Sequence, residues 1–107
     1  MFDAYRKENS ASELHIEGNR VLDKNGNRVV LTGVNCASLE WLSNPEKLLN
    51  TVIYAMDNWN ANIIRLPLSQ DRWFGFGGDQ AGEDESGERY RAIVDGIVTE
   101  VAKRNKY

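Results

Sequence analysis

The sequence predicts an α/β fold: a short β-hairpin followed by two strand–helix units whose strands lie parallel. Three observations predict it. Two nearly continuous apolar runs, residues 29–35 and 62–68, have the character of strands buried on both faces, which is the habit of parallel sheets. Each run is followed, directly or after a loop, by a segment with apolar residues at three- and four-residue steps, the spacing of one helical face. Ahead of both, shorter apolar stretches are separated by Gly- and Asn-rich turn chemistry.

In chain order, residues 1–12 read as an N-terminal extension without the apolar core of a secretory signal. Strands over 14–16 and 20–22 flank Glu17-Gly18-Asn19 and form the hairpin, and Asp23-Lys24-Asn25-Gly26 turns the chain into a third strand, 29–35. Ser43-Asn44-Pro45-Glu46 is a helix start, with Asn44 as N-cap, Pro45 as the first helical residue and an acid in the first turn. Leu48, Leu49, Val52, Ile53, Met56 and Trp59 then share one stripe, so a helix is expected over 45–59 with Trp59 in the core. Strand 62–68 is closed by Pro67, which has no N–H for a ladder. Residues 69–87 read as a long loop, and long loops are usually functional or disordered. From Glu88, the residues Tyr90, Ile93, Val94, Ile97, Val98 and Val101 define a second helical face. Strand–helix alternation implies a parallel sheet with right-handed crossovers.

A length of 107 residues fits one small domain, and 41% hydrophobic with 27% charged residues is the composition of a soluble globular chain. The formal net charge of -3 argues against nucleic acid or an anionic membrane as partner, since both select basic surfaces. No apolar run approaches the ~20 residues needed to cross a bilayer. Cys36 is the only cysteine, which rules out an internal disulfide, and with His15 the only histidine a tetrahedral metal site would need many carboxylates.

Arg65 is the most informative residue, because a guanidinium inside an apolar strand is costly unless paired. It is either half of a core ion pair or an arginine at a strand's carboxyl end that orients a catalytic carboxylate. Asn35, Glu40 and Trp41 follow the first buried strand, where ligands bind in parallel α/β folds. Trp41 and Trp73 occupy matched positions after the two strands. Their flat faces suit the C–H faces of sugar rings, although loop packing is the plainer reading of either one alone. His15 reads as structural, and Cys36 has no histidine nearby to make it a nucleophile. Glu83-Asp84-Glu85 lacks the spaced acids of an EF-hand and reads as a solvated loop. Gly75-Phe76-Gly77-Gly78 lacks the spacing and lysine of a phosphate-binding loop.

Three stretches together go beyond a generic α/β pattern. Leu14-His15-Ile16-Glu17-Gly18-Asn19-Arg20-Val21-Leu22-Asp23 with Asn25-Gly26 runs into Leu31-Thr32-Gly33-Val34-Asn35. Ser38-Leu39-Glu40-Trp41 follows. Trp59-Asn60-Ala61-Asn62-Ile63-Ile64-Arg65-Leu66-Pro67-Leu68 is then followed by Asp71-Arg72-Trp73. Over 14–107 this resembles the N-terminal portion of glycoside hydrolase family 5, the cellulase and β-mannanase family.

The resemblance implies a (β/α)₈ TIM barrel, of which this chain would supply a plugging hairpin and the first two βα units. The domain organisation is then an extension, 1–12, and a truncated barrel domain, 13–107. The resemblance also implies a retaining hydrolase with two catalytic glutamates, which would lie beyond Tyr107 together with the rest of the barrel. Arg65 matches the family arginine that hydrogen-bonds the nucleophile. Asn35, Glu40, Trp41 and Trp73 would line the substrate site, with β-linked polysaccharide as partner and no cofactor or metal. Family relatives suggest secretion. The expectation is that the fragment alone is inactive and does not fold as a stable monomer. The alternatives are a non-catalytic carbohydrate-binding module using Trp41 and Trp73, or a half-barrel that completes itself with another chain.

Overall fold

The structure is a computed structural model that describes residues 13–42, 45, 47–75 and 86–107. Strands β1 (Leu14–Glu17) and β2 (Arg20–Asp23) pair antiparallel, with Leu14 opposite Asp23 and Glu17 opposite Arg20. The following turn is held by Asp23, whose Oδ1 accepts from the amides of Asn25 and Asn27 at 2.9 Å each, an Asx-type turn completed by Gly26. Arg28 then bridges back to Leu22, so the hairpin gains one further residue of pairing before the chain leaves it.

The second sheet is the frame of the molecule. Strands β3 (Gly33–Asn35) and β4 (Ile63–Arg65) run parallel in the register Gly33–Ile63, Val34–Ile64, Asn35–Arg65. Between them lies helix α1 (Leu48–Asn58). After β4 come a short helix, α2 (Gln70–Phe74), and the long helix α3 (Glu88–Lys103). Leu48, Val52 and Met56 of α1 and Tyr90, Val94, Ile97 and Val101 of α3 form one core with Cys36 and Leu39, and Val34, Ile64 and Leu66 pack against it. Both helices therefore cover the same face of the sheet. At Gly33 a Cβ would overlap the backbone carbonyl oxygen of Ile63, so only glycine lets the two strands approach this closely.

The amino ends of the strands are tied by polar groups. Asn62 acts as a ladder partner with its side chain: Oδ1 accepts from Thr32 N at 2.8 Å, Nδ2 donates to Val30 O at 2.7 Å, and its own amide donates to Thr32 O at 2.8 Å. Helix α3 ends in a Schellman-type turn: Lys106 N donates to Val101 O, Asn105 N donates to Ala102 O, and Asn105 takes the left-handed conformation at φ +53. Asn60, just past α1, does the same at φ +57. Lys106 Nζ donates to Met56 O and Ala61 O at 3.0 and 2.7 Å. Arg104 joins the two helices, reaching Asp57 of α1 through Nε and Nη2 and Glu100 of α3 through Nη1. Tyr107 pairs with the far edge of β4, donating to Asn62 O and accepting from Ile64 N.

The predicted order of hairpin, strand, helix, strand and helix is present. Its bounds differ. The ladder of β3 covers 33–35 rather than 29–35, because Asn62's side chain, not a strand, meets the backbone of 30–32. Strand β4 covers 63–65 of the expected 62–68. Helix α1 starts at Leu48 with Lys47 as N-cap, three residues later than expected, and the cap expected at Asn44 lies outside the described residues. Trp59 is not core. It sits past the last helical residue, 67% exposed, with its ring edge-on to Tyr54 at 5.8 Å. Leu49, also expected in the stripe, is exposed. The expected loop 69–87 contains α2, while Glu83, Asp84 and Glu85 and most of the Gly75–Gly78 run lie outside the described residues.

Candidate functional site

Alternation along the strands decides which residues can form a site. Val34 and Ile64 face the helices, so Gly33, Asn35, Ile63 and Arg65 face the other way. On that open face Asn35 and Arg65 are register partners at the carboxyl ends of adjacent parallel strands, and both line one groove. Cys36 N continues the ladder by donating to Arg65 O at 2.9 Å. Among the described residues the Arg65 guanidinium makes no hydrogen bond or ion pair, and its side chain is exposed. Among the described residues, then, Arg65 is not half of a core ion pair. Arg104, at the opposite ends of the strands, is by contrast paired with both Asp57 and Glu100.

The segment after β3 turns sharply. Ser38 takes φ +134, a region that side-chain-bearing residues rarely adopt, and its amide donates to Glu40 Oε1 at 2.6 Å. Trp41 N and Leu42 N both donate to Ser38 O, which closes the turn and leaves the Trp41 side chain 57% exposed. Half-buried Glu40 thus has one carboxylate oxygen engaged with its own loop.

The segment after β4 is built differently. Ser69 caps α2 by accepting from Arg72 N, and Gly75 ends it in the left-handed conformation. Trp73 lies on this short helix, half-buried against the core, so the two tryptophans share a position in sequence but not an environment. A Cβ at Gly87 would strike the carbonyl oxygen of Trp73, which shows how closely α3 starts beside the end of α2. Arg91 Nη1 donates to that same carbonyl.

The sequence marks Tyr90 only as one residue of an apolar helical face. Its ring is fully buried, and its hydroxyl donates to Leu39 O and accepts from Ser69 N at 2.9 Å. The signal that could have drawn attention to it is a tyrosine on the fully apolar face of a helix, where the hydroxyl must find partners. Cys36 is buried, and burial pushes its thiol above the ordinary value, away from the thiolate a nucleophile needs. His15 Nε2 lies 3.9 Å from Glu17 Oε1 on the hairpin, which precedes the amino end of β3. Among the described residues no helix is long and apolar enough to cross a membrane, and no three His, Cys, Asp or Glu side chains group as metal ligands.

Comparison with known proteins bears on what this groove belongs to. The cellulase family, glycosyl hydrolase family 5, matches residues 22–107. Among curated proteins the chain is similar to Endoglucanase A of Butyrivibrio fibrisolvens, 29% identical over 96 residues, which is 89% of this chain and 21% of that protein. The chain thus spans about a fifth of the length of that relative. No solved structure matches the chain significantly. With a family match running from the second hairpin strand to Tyr107, the chain belongs to glycosyl hydrolase family 5, the cellulases.

Proposed function

We propose that residues 13–107 are the first two βα units of a (β/α)₈ barrel in a retaining glycoside hydrolase that cleaves β-linked polysaccharide such as cellulose or mannan, with 1–12 as an extension. The observation that supports this most is the pairing of Asn35 with Arg65 at the carboxyl ends of adjacent parallel strands, on the face away from the helices. Substrate sites in such barrels are built at the carboxyl ends of the strands, and the face opposite the helices looks into the barrel. Tyr107, pairing on the free edge of β4, stands where a third parallel strand would run. The name of the bacterial relative favours a glucan among the candidate substrates.

In this reading the acid/base and nucleophile glutamates come from outside residues 1–107. Arg65 hydrogen-bonds the nucleophile and holds it ionised, because an adjacent fixed cation stabilises the carboxylate over the acid. Asn35 hydrogen-bonds substrate beside it. Trp41 offers an exposed indole face to a sugar ring, Glu40 keeps one carboxylate oxygen for a sugar hydroxyl, and Trp73 contributes its exposed edge.

The test is hydrolysis of carboxymethyl cellulose and of mannan, followed by release of reducing ends. A protein carrying this segment with the rest of the barrel is expected to cleave one of them, and residues 1–107 alone neither. Arg65→Lys should lower kcat on the order of 100-fold with an unchanged thermal midpoint, since lysine lacks the planar two-pronged donor. Wild-type turnover in that variant would remove Arg65 from the site. Hydrolysis by residues 1–107 that is abolished in Glu40→Gln would make Glu40 itself catalytic. Sugar binding without hydrolysis is the second reading, favoured by the exposure of Trp41. It requires a sugar-induced change in Trp41 fluorescence in a whole-barrel protein that releases no reducing ends.

A further inference from the structure

A fully buried phenol is an expensive way to fill a core, because its hydroxyl must be satisfied there. Tyr90 satisfies it with two backbone groups from different loops: the carbonyl of Leu39, four residues after β3 ends, and the amide of Ser69, four residues after β4 ends. Leu39 is itself fully buried and stands between Ser38, with its unusual φ of +134, and Glu40, which holds the Ser38 amide. Ser69 is the residue that caps the helix carrying Trp73. One hydroxyl therefore sits between two segments that are 30 residues apart in sequence and that carry Glu40 and Trp41 on one side and Trp73 on the other. Phenylalanine would fill the same space without linking them.

We propose that Tyr90 is a positioning residue for the substrate site: its hydroxyl fixes the loop after β3 relative to the loop after β4, and so sets the spacing of the groups that grip the polysaccharide. It touches no substrate and acts through Leu39 and Ser69. This rests on the glycoside hydrolase reading above. A hydroxyl shared by two loops lowers the conformational freedom each must lose when a sugar chain spans them, so its effect falls on binding rather than on the chemical step.

The experiment compares wild type, Tyr90→Phe and a variant with 4-aminophenylalanine at position 90, in a protein carrying the whole barrel, with cello-oligosaccharides and manno-oligosaccharides as substrates. Tyr90→Phe should raise KM about tenfold, equivalent to ~1.4 kcal/mol, and leave kcat within about twofold. The 4-aminophenylalanine variant keeps the ring and the donor to Leu39 O but accepts poorly from Ser69 N, so KM should come only part of the way back. With 5-fluorotryptophan incorporated, the Tyr90→Phe fluorine spectrum should shift both Trp41 and Trp73 and leave Trp59 unchanged. An unchanged KM, a fall in kcat at constant KM, or a shift confined to Trp73 would each overturn the proposal. Wild-type protein that turns over neither substrate would instead overturn the hydrolase reading, and the fluorine spectrum would still decide whether the hydroxyl couples the two loops.

Discussion

The two strand–helix units end alike and begin differently. At the amino ends of the strands both helices stop at an asparagine in the left-handed conformation, Asn60 and Asn105, and each then re-enters or meets the sheet within two or three residues. At the carboxyl ends the first unit turns tightly through Ser38 to an exposed Trp41, while the second forms a capped helix that presses Trp73 against the core. In the barrel proposed above, a repeated device at one end and divergent ones at the other is the expected division of labour: the amino-end face holds the fold and the carboxyl-end face varies with the ligand. The lesson is that sequence equivalence between the units predicts their exits and not their rims.

Substitutions at six positions would break or sharpen that contrast, each read as a thermal or urea midpoint in a protein carrying this segment. The largest effect is expected at the seam the two units share. Gly33→Ala should cost ~3 kcal/mol or more, because the added methyl overlaps the Ile63 carbonyl and two backbones must part to admit it. A variant of wild-type stability would mean that the seam is looser than its geometry.

Next come the tryptophans. Trp73→Ala should cost ~2 kcal/mol through lost packing, whereas Trp41→Ala should stay within ~0.5 kcal/mol. Acrylamide should quench Trp41 emission far more readily than that of Trp73. Equal costs or equal quenching would restore the equivalence that the sequence suggests. The exits should behave as a pair: Asn60→Ala and Asn105→Ala are each expected to cost ~1 kcal/mol and the corresponding Asn→Gly changes nothing or less, because asparagine's short polar side chain eases the left-handed conformation, alanine's methyl does not, and glycine adopts it freely.

The smallest effect concerns pH. The hydrogen bonds from Arg104 hold the Asp57 and Glu100 carboxyls below their ordinary values. Their folded-state values lie below the unfolded ones, so this contribution is present above pH ~4 and is lost as pH falls through the depressed values. Both carboxylates are at the surface, so the slope should be shallow and weakened by salt. Arg104→Gln should flatten the acid limb of the stability profile, and identical limbs would show that the bridge between the helices is energetically silent.

Much of the frame was legible. Two apolar runs located β3 and β4, and the stripe from Tyr90 to Val101 located α3 and four of its buried residues. The misreadings share a cause: periodicity describes what a residue would do if the element continued. Trp59 falls in phase with Val52 and Met56, but α1 ends at Asn58, and one residue past the end the phase no longer points inward. Residues 29–32 are apolar enough for a strand, yet their backbone is met by a side chain. Helix α2 could have been found, since Ser69 as cap, Asp71 in the first turn and Gly75 past the end are its ordinary punctuation. The placement of Asn35 beside Arg65 required the register, and no local pattern carries that.

The side chain of Asn62 has a consequence for how the sheet is assembled. It occupies both polar groups of the approaching backbone at Val30 and Thr32 at a single position along β4. If β4 slid by one residue in either direction, Ala61 or Ile63 would stand there and both bonds would be lost, while every inward side chain would turn outward. Asn62 therefore works as a tooth in a ratchet. Apolar side chains stand on both faces of this strand at Ile63 and Ile64, and one amide that fits at one notch adds a polar error check to hydrophobic packing.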